Sequence, residues 1–361
     1  MQRVRCDYGT AARNRLKVIT VHLFLFPVRH WWIVPSGYHA QVEQRSQLNP
    51  DVVTVATNFF ASSDFAERGA VITDLDGTAV YEDQGRVYIP PPVEFGLRAI
   101  YERGRPVILN SLRFPLSVMR TFGKEWLAIA QAPIPVVSMN GSQLGFVTTD
   151  EKGELCFEEI AAFPLSANEI DPVLAGIDSL LEDDIREVLL FYYPRDWRLG
   201  EIIWTPVAEK VLHVKEKYKS ASSVIAVEPE KLAEMLHAEE ICMIFLLIER
   251  PADDLMAYQH SKPSSFFTAK GIDKMSGISA LSEPLGFDIA SSVGAGDTLM
   301  DVFLNGVGLS VHVGPQELPF RGSHNTIKLQ NSFELGDLLF HLAGLFDANT
   351  NEENRTTAAR G

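Results

Sequence analysis

In Asp74-Leu75-Asp76-Gly77-Thr78 two carboxylates stand two residues apart, directly after the short apolar run Ala70 to Thr73. Side chains two apart on an extended strand share a face. In open α/β sheets ligands bind beyond the carboxyl ends of the strands, so both acids are expected in one crevice. Gly77 permits a sharp turn there, and Thr78 can hydrogen-bond locally. One carboxylate placed so can attack as a nucleophile or ligate a hard cation, and the second can carry a proton. The plainer alternative is an Asp-rich turn that caps the next element.

Three later segments offer partners: Leu109-Asn110-Ser111-Leu112-Arg113, Lys274, and Gly296-Asp297-Thr298-Leu299-Met300-Asp301. A phosphate monoester is dianionic and the chain carries a net charge of -15, so a site for it must concentrate positive charge. Asp74 and Asp297 can hold Mg²⁺ through hard oxygen ligands. Lys274 and the helix N-terminus after Asn110 can take up the remaining phosphate charge. With that repulsion screened, Asp74 can attack phosphorus, while Asp76 protonates the leaving alkoxide and then deprotonates the hydrolytic water. Ser111 would hydrogen-bond a phosphate oxygen, Asn110 and Arg113 would contact the substrate, and Asp301 would orient Lys274 or a metal-bound water. Taken singly, Ser111 reads as an N-cap, Lys274 as a solvated lysine and Asp301 as a helix-surface acid.

The elements that must position these groups follow from the apolar pattern. Ala70 to Thr73, Pro106 to Asn110 and Ile134 to Ser138 read as buried parallel strands. Pro90-Pro91-Pro92, then Val93, Leu97 and Ile100 at helical spacing, then Gly104, mark a helix between the first two. A further helix is predicted over Pro115 to Trp126. Strand, helix, strand in this order begins a doubly wound α/β sheet. After the middle of the chain the style returns, with strands predicted at Ile289–Val293 and Leu309–Val313 and a helix at Thr298–Asn305. Leu335, Leu338, Leu339 and Leu342 share one face of a last helix. Residues 142–264 differ: a hairpin flanked by Gln143–Val147 and Leu155–Glu159, then strands at Val188–Tyr193, Glu201–Trp204 and Ile241–Ile248 with interleaved helices. That is an α+β insertion of domain size. The expected division is a basic, poorly ordered extension over 1–66, a core over 67–141 and 265–347, a cap over 142–264 and a disordered tail over 348–361.

Composition narrows the function classes. The 361 residues hold 47 acidic and 32 basic side chains, which disfavours a general nucleic-acid binder. No charge-free apolar stretch is long enough to span a membrane. The three cysteines, Cys6, Cys156 and Cys242, are far apart, which fits a reducing compartment rather than a disulfide scaffold. A cytoplasmic location is expected. Residues 1–50 reverse the overall sign, with seven basic groups against Asp7 and Glu43. A short apolar run from Val18 to Val28 follows the first of them, but no small-x-small cleavage site comes after it.

The ordered motifs resemble those of the haloacid dehalogenase-like hydrolases, whose first motif is D-x-D-G-T/V. Ser111 matches the second-motif Ser or Thr, Lys274 the third-motif lysine and Gly296 to Asp301 the last motif, G-D-x-x-x-D. The interval between Asp74 and Ser111 is too short for an inserted domain, whereas that between Ser111 and Lys274 accommodates 142–264. This placement is similar to the branch with a large α/β cap, which includes Cof-like, sucrose-phosphate and trehalose-phosphate phosphatases. The resemblance implies a Mg²⁺-dependent phosphatase acting on a small phosphorylated metabolite, best a sugar phosphate, with the Asp76 carbonyl as an additional metal ligand. Leu112 and Met300 depart from the Cof-like pattern, which commonly has Gly and Asn at those places. A phosphosugar mutase would use the same residues, and a non-catalytic phosphosugar-binding protein is a further alternative. Gly294-Ala295-Gly296-Asp297 also resembles the G-A-G-D signature of ribokinase-like sugar kinases, where the loop cradles phosphate. Tyr192, Tyr193, Arg195, Asp196 and Arg198 form a candidate lid surface, and His312 reads as structural.

Overall fold

The computed structural model describes residues 48–83, 86–248 and 266–358. The basic leader through residue 47, and with it the apolar run at Val18, lies outside the described residues. An eight-stranded sheet forms the core: β1 (Val71–Thr73), β4 (Val107–Asn110), β5 (Ile134–Ser138), β6 (Gln143–Thr149), β7 (Leu155–Ala162), β13 (Val293–Gly296), β14 (Leu309–Val313) and β15 (Asn325–Leu329). Their order is β15-β14-β13-β1-β4-β5-β6-β7, parallel from β15 to β5 and antiparallel at β6 and β7. The chain leaves β1 toward β4 on one side and returns through β13 on the other. The crevice at the end of β1 is therefore the topological switch point, where this architecture binds ligands.

Parallel strands bury both faces, and helices cover both. One face packs against α1 (Pro50–Ser62), α3 (Pro91–Glu102) and α10 (Ser332–Ala358), the other against α9 (Lys274–Leu285). Val93, Leu97 and Ile100 make the buried stripe of α3, and it meets Leu335, Leu338, Leu339 and Leu342. Glycines let these two helices touch: a Cβ at Gly96 would lie 2.8 Å from that of Leu339, and one at Gly336 2.5 Å from the Pro92 carbonyl carbon. Each buried leucine of this contact contributes about 1.5–3 kcal/mol.

The inserted segment forms a second sheet, ordered β10-β9-β8-β11-β12, from β8 (Val188–Pro194), β9 (Ile202–Trp204), β10 (Ser223–Ile225), β11 (Ile241–Ile248) and β12 (Phe266–Phe267). Alternation along β8 serves two cores. Leu190 and Tyr192 face α6 (Ala167–Glu182) and α8 (Pro229–Ala238), while Leu189, Phe191 and Tyr193 face α7 (Val211–Lys217) and the core residues Phe114 and Met139.

Several expectations shift. The hairpin at 143–162 extends the core sheet instead of opening the cap, so the insertion begins after Ala162 rather than at 142. Met139, Asn140 and Gly141, with φ of 49°, 55° and 97°, reverse the chain so that β6 returns along β5. The extension expected over 1–66 contains an ordered helix, because α1 buries Ala56, Phe59 and Phe60. The tail expected from 348 continues α10 to Ala358, since neither Pro nor Gly interrupts the sequence between Phe346 and Ala358. Ile289–Ser291 is a 3-10 turn and the strand follows at Val293; only Val302–Asn305 of the predicted 298–305 helix is helical, as 3-10. The helix at 115–126 forms, but as Pro115–Val118, a π turn at Met119–Gly123 and Lys124–Ala130.

Candidate active site

Three neighbouring strands end at this crevice and each delivers a motif. Asp74 follows β1, Ser111 follows β4 and Asp297 follows β13. The Asp74 amide donates to the Ala295 carbonyl at 2.9 Å, carrying the β1–β13 pairing one residue past the strand and fixing where Asp74 begins. Lys274 enters from the first turn of α9, whose N-cap Asp273 accepts from the Ser276 amide at 2.7 Å. Its Nζ lies 2.7 Å from Asp74 Oδ1 and 2.7 Å from Asp301 Oδ1. Lys274 is only 1% exposed and Asp301 fully buried. Lysine and aspartate are rarely buried unless paired, which sets aside a solvated Lys274 and a surface Asp301. The second oxygen of Asp301 accepts from the Asp297 amide at 3.0 Å and the Thr298 amide at 2.9 Å.

Gly77 and Thr78 do more than turn the chain. Gly77 has φ 76°, and a Cβ there would fall 2.1 Å from Asp297 Oδ2. Thr78 Oγ1 donates to Asp297 Oδ1 at 3.1 Å. The first motif thus carries Asp74 and also seats Asp297, more than two hundred residues later.

Charge is unbalanced here. One oxygen each from Asp74, Asp297 and Asp301 lies within 4.8 Å of the others, against the single cation Lys274. Burial first, and then the charges of Asp301 and Asp297, hold the Asp74 carboxyl well above its ordinary range despite Lys274. Burial and the Asp301 charge push Asp297 up to about 7. Burial would lower the Lys274 ammonium, but Asp301 and Asp74 outweigh it and its pKa rises. Carboxylates destabilised by desolvation and by one another are the donor set that suits a hard divalent cation. Asp74 and Asp297 fit that role, whereas both oxygens of Asp301 are engaged by the protein. The Asp76 carboxylate is not among the three acids of the cluster.

Asp76 instead meets Arg113, whose Nε and Nη2 reach its two carboxylate oxygens at 2.7 and 2.5 Å. Arg113 Nη1 also donates to Ser117 Oγ at 3.0 Å and Thr121 Oγ1 at 2.9 Å. Arg113, expected to contact substrate, is engaged with the protein. Asn110, given the same role, is fully buried, and its amide donates to the Lys274 carbonyl at 3.2 Å, tying the end of β4 to the start of α9. Ser111 is 1% exposed, and its hydroxyl accepts from the Arg113 amide at 3.1 Å. The sequence reading missed Ser117 and Thr121, and gave Thr78 only a local hydrogen bond where it reaches Asp297. The first two lie four and eight residues after Arg113, a helical spacing that marks them in retrospect.

Of the candidate lid surface at 192–198, only Asp196 and Arg198 are exposed. Tyr192 and Tyr193 are buried in the two cores of the cap, and Tyr193 donates to Glu201 at 2.6 Å. Arg195 pairs with Glu159 of the core sheet and Glu240 of the cap. Phe114, next to Arg113, packs on Tyr193 with ring centroids 5.5 Å apart, so the cap rests directly on the Ser111 loop. Gly294 to Gly296 lie in strand β13, the first two residues paired with both β1 and β14 and Gly296 with His312 of β14. They form no phosphate-cradling loop of the kind a sugar kinase needs.

The model of a family described as haloacid dehalogenase-like hydrolase matches residues 71–316. Among solved structures, BT1666 from Bacteroides thetaiotaomicron, described among phosphatases of the haloalkanoate superfamily, is 14% identical, with TM-score 0.54 over 77% of this chain and 96% of that one. BT4131, described as a subclass IIB sugar phosphatase, is 16% identical, with TM-score 0.51 over 75% and 96%. TM0651 from Thermotoga maritima is 16% identical, with TM-score 0.52 over 76% and 96%. These likenesses establish the shared fold. No curated protein matches the sequence.

Proposed function

Because the chain belongs to the haloacid dehalogenase-like hydrolases, we propose that it is a Mg²⁺-dependent phosphatase of the branch with a large α/β cap, acting on a small phosphate monoester. The observation that carries this reading is the buried Lys274 between Asp74 and Asp301, with Asp297 beside them. One ammonium against three carboxylates leaves an excess of negative charge that would repel a phosphate dianion. Asp74 and Asp297 would hold a divalent cation, which when bound would supply the positive charge that a phosphate dianion needs there.

Asp74 is the nucleophile. One of its carboxylate oxygens bonds to phosphorus as the P–O bond to the alkoxide breaks, leaving an aspartyl-phosphate. Asp76 gives the departing alkoxide its proton, then takes one from a water whose oxygen attacks phosphorus and frees Asp74. Lys274 holds the Asp74 side chain in a fixed orientation and offsets its charge. Asp301 holds Lys274, and Ser111 donates to a phosphate oxygen. Arg113 is a positioning residue: its two parallel bonds fix the orientation of the Asp76 side chain. Donating a proton requires that the guanidinium let go.

BT4131, described as a subclass IIB sugar phosphatase, is similar in fold, and on that likeness a sugar phosphate is the substrate. The test is release of inorganic phosphate from p-nitrophenyl phosphate and a panel of sugar phosphates, with Mg²⁺ and with EDTA. Turnover that needs the metal and vanishes in Asp74→Asn is expected. A panel-wide blank with Mg²⁺ present would overturn the reading.

A further inference from the structure

Away from Asp74, the β14–β15 edge carries a second set of polar groups that this chemistry does not use. Ser310 pairs with Thr326 in register, and His312 with Lys328. Alternation puts all four on one face, while Leu309, Val311, Val313, Ile327 and Leu329 fill the core on the other. Parallel strands ordinarily bury apolar side chains on both faces, so a polar row that includes the buried Ser310 and His312 calls for a physical reason. The row borders a cavity of about 520 Å³ lined by His312, Glu317, Arg321, His324, Thr326 and Lys328, among others.

The lining is rich in donors and poor in acceptors. Its only carboxylate, Glu317, is paired with Lys328. Of the Arg321 guanidinium's five N–H groups, the structure pairs only Nη1, with the neighbouring Phe320 carbonyl at 3.0 Å, and no carboxylate meets it among the described residues. The His312 ring bonds Ser310 through Nε2 at 3.1 Å. Burial and the nearby Arg321 charge lower its pKa, keeping the imidazole neutral. In a chain of net charge -15, a guanidinium that meets no carboxylate at the edge of a cavity is a local reversal, and such a reversal attracts anions. A guanidinium fork matches a tetrahedral oxyanion, with an ammonium and a hydroxyl beside it.

We propose that this cavity binds the phosphate group of free phosphate or of a small phosphorylated metabolite, at a site separate from Asp74. Arg321 takes two phosphate oxygens, and Lys328 exchanges Glu317 for a third. His312 borders the ligand from β14, where it lies opposite Gly296, one residue before Asp297.

The probe is the His312 imidazole resonance in full-length protein labelled with ¹³C-histidine, assigned through His312→Gln. Inorganic phosphate and glucose 6-phosphate are each titrated in EDTA, against sodium chloride at matched ionic strength. A saturable shift is expected with at least one of them, and the ligand that acts at lower concentration identifies the source. Arg321 is exposed, so Arg321→Ala should fold normally, and it should weaken binding at least tenfold. An equal shift with chloride, no saturable shift, or an unchanged titration in Arg321→Ala would overturn the proposal. The measurement needs neither turnover nor metal, so it stands or falls separately from the phosphatase reading.

Discussion

Arg113 grips Asp76 through two parallel hydrogen bonds of 2.7 and 2.5 Å, and Ser117 and Thr121 hold the third guanidinium nitrogen. The residue assigned the proton transfers is therefore aimed by a fork whose own orientation is set one and two helical turns later. Replacing Arg113 by Lys keeps the charge but removes the planar, bidentate geometry. Arg113→Lys should lower kcat by about one to two orders of magnitude, up to the lower end of general acid–base contributions, with a smaller change in KM. A loss carried by KM, with kcat unchanged, would make Arg113 a substrate contact.

Lys274 is the cation between two buried carboxylates. Lys274→Met leaves Asp74 and Asp301 without it, and removing one partner of a buried pair costs about 3–5 kcal/mol. Urea unfolding in EDTA should report a loss of that size. Adding Asp301→Asn to Lys274→Met should recover part of it, since one of the stranded charges disappears. A Lys274→Met protein as stable as the parent would mean that the carboxylates carry no charge in the folded state.

Gly77 tests the reach of the first motif. Its φ of 76° disfavours any side chain, and a Cβ would strike Asp297 Oδ2. Gly77→Ala should therefore displace Asp297 and cut turnover severely, with a strain of about 1–3 kcal/mol on stability. Raising Mg²⁺ should restore part of the activity, because the defect lies in how Asp297 is placed. If Gly77→Ala retains parental turnover at low Mg²⁺, Asp297 takes no part in holding the metal.

The strand-end placements of Asp74 and Ser111 were legible because each depends on local pattern: an apolar run, then a polar break. Asp297 was legible only through its motif, since the strand expected at Ile289–Val293 forms instead at Val293–Gly296. Lys274 was legible only through its motif, since nothing local marks a lysine for burial. The role of Arg113 was not legible, because the partner that captures it lies across the crevice, on another strand end. The boundary at 142 failed for a related reason. Asn140-Gly141 was read as a turn, but a turn alone does not say which sheet the next strand joins, and here that is decided by pairing between β5 and β6. Helix α1 was missed because the basic leader drew the boundary, although Val52, Val55, Ala56, Phe59 and Phe60 already carry an apolar face.

That helix makes a prediction of its own. Phe59 and Phe60 are 2% and 6% exposed, and Phe60 meets Phe346 of α10 edge-on with centroids 4.9 Å apart. Phe59→Ala should destabilise the protein by about 3–5 kcal/mol, as for other large-to-small changes in a core. Chemical denaturation would measure it. A loss below 1 kcal/mol would return residues 50–62 to the status of a dispensable extension.

The acidic cluster ties stability to pH and metal with a definite sign. Asp297 is pushed up from an ordinary 3.8 to about 7, and Asp74 is raised as well. Between about pH 4 and 7 the unfolded chain has released protons that the metal-free folded site still holds, so stability falls as pH rises through that window. Above it, the ionised cluster is destabilised in full. Mg²⁺ binds the ionised carboxylates of the folded state and not the unfolded chain, so it stabilises by mass action and must displace any proton still held there. The rise in Tm on adding Mg²⁺ should therefore be small at pH 5 and larger at pH 7.5. Asp297→Asn should reduce the difference, since one of the two raised carboxylates is gone. Equal Mg²⁺ shifts at both pH values would show that the ion acts elsewhere on the protein.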